Sequence, residues 1–228
     1  MNEYPTISII TPTFNRNRFI PLMISNLMRL DYDKSKLEWV IDDDGDTEFL
    51  FNHEELIKIK KLLYPIKIKY NIFQNKRSIG EKRNSLVKLS TYKIIACMDT
   101  DDMYFSIWLK NGIDIMKEGK YSCVGTNEMM FLYPELDFKM TAIRCKEKRQ
   151  AHESGMGGFQ KSSQGEGAKM IDFNNNNVGL LEISKCLMCI CHDENTINKD
   201  MFFTAEEVHG EIDPRDKNLL INILKLQN

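Results

Sequence analysis

Two aspartates with one residue between them follow an apolar run in the middle of the chain. The run is Ile94–Met98, and Asp99, Thr100, Asp101 and Asp102 come next. A short run that begins with β-branched residues predicts a buried strand, and alternation along it would turn Asp99 and Asp101 to the same side. Carboxylates suit Mg²⁺ or Mn²⁺, which usually complete their shell with substrate phosphates. The spacing predicts a metal site for a nucleotide diphosphate; an acidic turn is the alternative that needs no ligand.

Polar residues also follow two earlier predicted strands. Thr11–Arg16 ends the first of them, and the acidic turn Asp42–Asp46 follows the second. Ligands of parallel α/β sheets bind at the carboxyl ends of the strands. We therefore expect all three polar segments to open on one edge of the sheet.

The elements that must position these residues alternate between strands and helices in the first half of the chain. Such alternation predicts βαβ units and a mostly parallel sheet. The predicted strands are Ile7–Thr11, Glu38–Ile41, Ile66–Phe73 and Ile94–Met98, and the predicted helices are Phe19–Leu30, Glu54–Leu62, Gly80–Leu89 and Ile107–Lys117.

The second half has a different pattern. A hairpin is predicted from Met129–Tyr133 and Lys139–Arg144, and strands from Val178–Ile183 and Cys186–Cys191. Residues 154–168, rich in Gly, Ser and Gln, predict a mobile loop. Residues 195–210 are expected to be loose, and Asp213 with Pro214 begins a terminal helix.

Composition excludes some classes of protein. Of 228 residues, 42% are apolar, and 31 basic against 33 acidic residues give a net charge of −2. This balance implies no general attraction to nucleic acid or membranes. The basic segment 56–93 also lacks the interleaved aromatic residues that would stack on bases. We expect no nucleic-acid partner.

The cysteines and the start of the chain predict a cytoplasmic protein. An apolar strand begins by Ile7, which leaves no room for a signal peptide, and no run has the length of a membrane span. The six cysteines are therefore expected to be reduced. Cys186, Cys189, Cys191 and His192 resemble zinc-ligand spacing, but no second Cys/His pair follows, and an apolar strand is the preferred interpretation.

Two arginines are candidates for contact with an anion. Arg83 lies on the sheet-facing side of the helix Gly80–Leu89, where a guanidinium needs a carboxylate or phosphate partner. An internal ion pair with a strand-end aspartate is the favoured interpretation for Arg83. Arg77, upstream in the loop, is the preferred contact to phosphate or base.

Four segments together resemble the signatures of family 2 glycosyltransferases, in that family's order and spacing. They are Ser8–Arg16, Glu38–Thr47, Gly80–Asn84 and Met98–Asp102. The resemblance implies the α/β GT-A fold, with a mostly parallel central sheet, helices on both faces and a smaller antiparallel part on the acceptor side. It also implies a nucleotide-sugar donor, most often a UDP-sugar, and Mn²⁺ or Mg²⁺ held by the Asp-x-Asp carboxylates.

The same resemblance assigns roles to individual residues. Asp44, or Asp43 beside it, would read the base; Asp99 would face the ribose or the metal, and Asp101, with Asp102 as the alternative, would bind the metal. Asp46 departs from the family, which usually has a small hydroxyl residue there. The donor-binding set is Thr11, Pro12, Thr13, Asn15, Arg16, Asp43, Asp44, Arg77, Arg83, Asp99 and Thr100, and the metal set is Asp99, Asp101, Asp102 and His192.

Three residues of the second half are matched by position. Glu166 lies where the family places an acidic residue near the acceptor, and Glu153 is the second candidate for the general base. Either could instead be an exposed loop glutamate. His192 ends a strand much as a late histidine does in GT-A enzymes that add it to the metal shell, although a lone histidine there is more often a surface residue.

The leading hypothesis is a metal-dependent glycosyltransferase, in one domain over residues 1–228. Residues 1–104 would bind the nucleotide-sugar, 105–210 the acceptor, and 211–228 would form the terminal helix. The acceptor would be a glycan, glycoprotein or glycolipid, and the reaction would invert the anomeric carbon. Compact proteins of this type resemble those of large DNA viruses, where the compartment would be the host cytoplasm, and bacterial polysaccharide enzymes.

Two alternatives remain open at this point. A sugar-nucleotide pyrophosphorylase has a related fold, but no glycine-rich basic loop occurs near residue 15. A catalytically silent module that binds nucleotide or glycan is the other, and the intact carboxylates at 99, 101 and 102 argue against it.

Overall fold

The computed structural model describes residues 3–144, 154–155, 178–196 and 198–226. The strands are β1 Ile7–Thr13, β2 Leu37–Asp43, β3 Lys67–Ile72, β4 Ile94–Cys97, β5 Asp102–Tyr104, β6 Cys123–Gly125, β7 Glu128–Tyr133, β8 Lys139–Arg144, β9 Ser154–Gly155, β10 Val178–Leu180, β11 Leu187–Ile190 and β12 Glu206–Glu207. The helices are α1 Ile20–Arg29, α2 His53–Leu62, α3 Ile79–Leu89, α4 Trp108–Gly119 and α5 Pro214–Leu224. None of these helices is long and apolar enough to cross a membrane.

A parallel sheet of order β3–β2–β1–β4 forms the first half, as the βαβ pattern predicts. Alternate residues of β1 and β2 enter two hydrophobic clusters. Ile9 and Trp39 belong to the larger, which includes α1, whereas Ile10 and Val40 pack with Leu86 of α3. Helices therefore cover both faces of this sheet.

The second half adds a five-stranded sheet of order β12–β8–β7–β11–β5 and a three-stranded sheet of order β10–β6–β9. In the larger sheet β11 runs parallel to β7, and the other pairs are antiparallel. Because β5 starts at Asp102, the acidic segment joins the first sheet directly to the second. The α/β fold with a smaller, mainly antiparallel part is confirmed.

The prediction that residues 195–210 are loose is wrong for the part that the structure describes. A 3₁₀ turn, Asp200–Phe202, and β12 lie in this segment. The ring of Phe202 stacks on Phe131 with 4.7 Å between centroids, and Phe203 packs edge-on against Tyr133. These aromatic rings bury apolar surface that holds the segment against the second sheet.

Candidate active site

The loops after β1 and β2 are joined by Asn15. Its side chain donates to the Asp46 carboxylate at 2.7 Å and accepts from the Asp46 amide at 3.1 Å. Asn15 has a φ of 51°, a left-handed conformation that asparagine tolerates better than most residues. The departure at Asp46 therefore supplies a partner for Asn15, and the two loops form one rim at the strand ends.

Asp43 organises the turn after β2. One carboxylate oxygen accepts from the Gly45 amide at 3.0 Å, and the other accepts from the Leu50 amide and the Tyr70 hydroxyl, each at 2.6 Å. The side chain is buried. Asp43 therefore stabilises the backbone of this turn, and neither of its oxygens is exposed to contact a nucleobase.

Asp44 is also covered by protein. Its carboxylate accepts from the Arg77 amide at 2.6 Å and from the Lys82 amino group at 2.5 Å. The Lys82 amino group donates as well to the carbonyl oxygen of Thr13, at 2.8 Å. Burial lowers the pKa of Lys82, while Asp44 counteracts that shift. A buried ion pair therefore ties α3 to the ends of β1 and β2.

Lys82 was missed by the sequence analysis, although a lysine next to Arg83 on the sheet-facing side of a helix calls for a buried partner. Replacing it with methionine is expected to cost about 3–5 kcal/mol of unfolding free energy, since Asp44 would stay buried without its cation. Urea unfolding would measure the loss. Lys88→Met, at an exposed position of α3, should cost less than about 0.5 kcal/mol. Equal losses in both variants would contradict a role for the ion pair.

Arg77, which the sequence analysis preferred as the contact to phosphate or base, lies in the loop before α3. Its guanidinium pairs with the buried carboxylate of Asp42 and lies over the Phe73 ring, 3.6 Å from the centroid. Burial raises the pKa of Asp42 to about 6, with Arg77 and Lys82 acting in the opposite direction. The Arg77 side chain is 22% exposed, so part of it remains open to solvent.

Asp99 and Asp101 do not share one face of a strand, because β4 already ends at Cys97. The Asp99 carboxylate accepts from the Arg83 guanidinium at 2.9 Å, and its amide donates to the Tyr104 hydroxyl oxygen at 2.9 Å. Arg83 thus forms the internal ion pair that the sequence favoured. Asp99 stays 27% exposed and faces the rim.

Asp101 and His192 lie together, as the sequence analysis proposed for metal ligands. The Asp101 carboxylate and the His192 Nε2 atom are 3.1 Å apart. Burial alone would raise the pKa of Asp101, but the hydrogen bond and charge of His192, with Lys199 and Arg16, hold it below its usual range. The described residues contain no ready cluster of three or more metal-binding side chains.

The donor chemistry of this pair fits a divalent ion. In this structure the 3.1 Å contact between the Asp101 carboxylate and His192 Nε2 is a hydrogen bond. The carboxylate suits Mg²⁺ or Mn²⁺, and the imidazole nitrogen can act as a second ligand once that hydrogen bond is released. Such ions often take one or two carboxylates from the protein and complete their shell with water and phosphate oxygens. Asp101 and His192 are therefore the candidate metal ligands, with Asp99 on the same rim.

Asp102 faces the protein interior. Its carboxylate accepts from the Ile190 amide at 3.2 Å and lies 3.9 Å from the Lys199 amino group. Burial raises the pKa of Asp102 to about 7; Lys199 counteracts this, while Asp101 and Asp99 add to it. Its oxygens already face the Ile190 amide and the Lys199 amino group, whereas Asp101 faces His192, so Asp101 is the better placed metal ligand of the two.

Asn26 of α1 holds the acidic segment in place, and the sequence analysis missed it. Its amide donates to the carbonyl oxygen of Asp102 at 2.9 Å and accepts from the Tyr104 amide at 3.1 Å. The side chain is fully buried. A polar residue on the apolar face of α1, between Met23 and Leu27, was the available signal.

Asn26→Leu is expected to lower the free energy of unfolding by about 2–4 kcal/mol, because two buried backbone groups would lose their partners. The shift of the urea midpoint would measure this. Met28→Ala, at an exposed position of the same helix, should change stability by less than about 0.5 kcal/mol. An Asn26→Leu variant as stable as Met28→Ala would remove Asn26 from this role.

The remaining predicted residues are divided between the interior, the rim and the undescribed part of the chain. Thr11, Thr13 and Thr100 are buried; the Thr11 hydroxyl accepts from the Trp39 indole at 2.9 Å. Pro12 and Arg16 are partly exposed at the rim. Both candidates for the general base, Glu153 and Glu166, lie outside the described residues, as does most of the loop 154–168.

Comparisons with known proteins identify the family and the fold. Residues 8–167 match the profile of glycosyl transferase family 2. The UDP-Glc:alpha-D-GlcNAc-diphosphoundecaprenol beta-1,3-glucosyltransferase WfgD of Escherichia coli is 28% identical over 145 residues, which cover 59% of this chain and 53% of that protein. The chain thus spans about half the length of this relative.

Solved structures share the fold. Staphylococcus aureus TarS 1–349 in complex with UDP-GlcNAc superposes with a TM-score of 0.63 and 16% identity, over 96% of this chain and 65% of that one. The mannosyltransferase PcManGT from Pyrobaculum calidifontis, in complex with GDP-Man and Mn²⁺, gives 0.61 and 14%, over 88% and 59%. At these identities the likeness concerns the fold.

Proposed function

The chain belongs to glycosyltransferase family 2, and we propose that it transfers a sugar from a UDP-sugar to a hydroxyl group of a glycan, glycoprotein or glycolipid. One observation carries this proposal: Asp101 and His192, 3.1 Å apart, lie beside Asp99 where the parallel strands β1, β2 and β4 end. Nucleotide ligands of parallel sheets bind at such an edge.

The residues at the rim have separate roles in the proposed reaction. The nucleoside would lie against the loops after β1 and β2, where Arg77 offers its exposed edge to the base or phosphate. Asp101 and His192 would hold a divalent cation, which supplies charge neutralisation for the diphosphate leaving group. Asp99, fixed by Arg83, is directed to the ribose or the metal.

The reaction we propose is a single displacement. A carboxylate, Glu166 or Glu153, takes the proton from the acceptor hydroxyl. The acceptor oxygen then bonds to the anomeric carbon as the bond from that carbon to the diphosphate breaks. Attack from the face opposite the leaving group inverts the configuration, with no covalent enzyme intermediate.

A UDP-sugar is proposed over other donors for two reasons. The E. coli relative is named for UDP-Glc, and the TarS structure contains UDP-GlcNAc. The PcManGT structure, with the same fold, contains GDP-Man. The base is therefore the part of the donor that an experiment must test first.

Thermal unfolding with a panel of nucleotide-sugars, with and without Mn²⁺, tests the proposal. A donor at 100 times its dissociation constant adds about 2.7 kcal/mol of stability, which gives a clear shift. We expect that shift with UDP-sugars in the presence of Mn²⁺ and not with GDP-sugars. Donor hydrolysis or sugar transfer, measured as the release of UDP, must accompany this thermal shift. Binding without turnover would support a silent module, and no binding of any donor would overturn the proposal.

A further inference from the structure

Arg16 lies between the candidate metal ligand and the loop that follows β11. Its Nε atom is 3.7 Å from the Asp101 carboxylate. Its terminal nitrogens donate to the backbone oxygen of Glu194 at 2.6 Å and to the Glu194 carboxylate at 3.2 Å. The side chains of Arg16 and Asp101 are each 18% exposed. One partly covered guanidinium therefore faces two carboxylates on two different loops.

A divalent cation bound to Asp101 would neutralise the same carboxylate charge that Arg16 now balances. The carboxylate oxygen of Asp101 that faces Arg16 is the same one that meets His192. Two cations beside a single carboxylate oxygen repel each other, so an ion bound there disfavours Arg16 in its present place. A nearby diphosphate offers that guanidinium a new partner, since its planar fork matches phosphate oxygens.

Arg18 allows Arg16 to change partners while the loop stays in place. Its guanidinium bonds to the Asp193 carboxylate at 2.6 Å, lies 3.4 Å from the Glu194 carboxylate, and is 3.2 Å from the Nδ1 atom of His192. These contacts anchor residues 192–194 to the segment before α1. Loss of the Arg16 contact alone therefore leaves the loop tied to the first half.

We propose that Arg16 couples metal binding to donor binding. Without a donor it competes with the metal for Asp101; with a donor it turns to the diphosphate and releases Asp101 to the metal. This inference rests on the proposed function. Because coupling of two ligands is reciprocal, UDP should raise the affinity for Mn²⁺ by the same factor by which Mn²⁺ raises the affinity for UDP.

The affinity for Mn²⁺, measured from the electron paramagnetic resonance signal of the free ion with and without UDP, tests the proposal. In the absence of UDP, Arg16→Gln should bind Mn²⁺ about 1.5- to fivefold more tightly than the native protein, the range for a partly exposed charge pair. The gain in Mn²⁺ affinity caused by UDP should shrink by at least that factor. Arg16→Lys, which keeps the charge without the fork, should retain the weak Mn²⁺ binding.

Two controls accompany this measurement. Arg215→Gln removes the same charge at a position that is 90% exposed and paired with Asp213, and it should leave both affinities unchanged. Melting temperatures should confirm that every variant is folded.

The outcomes separate this inference from the proposed function. If native protein and Arg16→Gln bind Mn²⁺ equally without UDP, and UDP raises both affinities equally, Arg16 does not couple the two ligands and the proposed function stands. If the native protein binds neither Mn²⁺ nor UDP, the proposed function fails, and the coupling fails with it.

Discussion

Asp101→Asn is expected to abolish metal-dependent donor binding and to reduce sugar transfer by at least about 100-fold, or about 2.7 kcal/mol in the activation barrier. The substitution keeps the shape of the side chain and removes the negative charge that would hold the cation. Of the two candidate ligands, only His192 would then remain to bind the cation, and a single neutral imidazole is a poor site for Mg²⁺ or Mn²⁺.

The test combines calorimetric titration of UDP in the presence of Mn²⁺ with initial rates of transfer. Asp137→Asn is the matched control, because it makes the same change at a side chain that is 99% exposed; it should behave as the native protein does. Full transfer activity of Asp101→Asn with Mn²⁺ would show that the assignment of the metal ligand is wrong. Loss of folding is checked by the melting temperature of each variant.

The elements of the first half could be predicted because they are long and regular. Each predicted strand and helix there agrees with the structure to within about two residues at either end. Two of the largest differences are at the carboxyl ends of β1 and β2, which extend to Thr13 and Asp43, past the predicted ends at Thr11 and Ile41. The sequence analysis missed this extension because the added residues are mostly polar. In the structure Thr13 and Asp43 pair with each other in the parallel ladder.

The residues around the site were predicted better than their contacts. Convergence of the three strand ends follows from parallel topology. His192 follows β11 of the other sheet, and only the family resemblance predicted it beside Asp101. The alternation argument for Asp99 and Asp101 was wrong, because it assumed an extended strand beyond Cys97. Burial of Asp43 and Asp44 depends on partners from distant elements, such as Tyr70 and Lys82.

The second half was harder to predict because its strands are short and their pairing is not local. The hairpin of β7 and β8 followed from sequence, but the antiparallel pairing of β5 with β11 joins residues more than 80 positions apart. The strand predicted over Val178–Ile183 ends at Leu180, and a 3₁₀ turn follows over Ile183–Lys185. Tertiary packing decides such elements, and propensity does not.

Loss of the general base is expected to have the second large effect on sugar transfer. Glu166→Gln is expected to leave the dissociation constant of UDP within about twofold of the native value and to lower the turnover number by about 10²–10⁴-fold. A general base is needed only when the acceptor attacks, so its loss should not weaken binding of the donor nucleotide. Glutamine keeps the size of the side chain and cannot accept the proton.

Glu153→Gln is the competing variant, and the two together decide which carboxylate takes the proton. If Glu166 is the base, Glu153→Gln should retain most of the turnover; the reverse pattern would assign the role to Glu153. The dependence of turnover on pH gives an independent readout, because a lost base also removes the fall in rate at low pH. A Glu166→Gln variant that loses UDP affinity and turnover in equal measure would instead have lost a group that shapes the donor site, because a base acts only in the transition state and leaves ground-state binding intact.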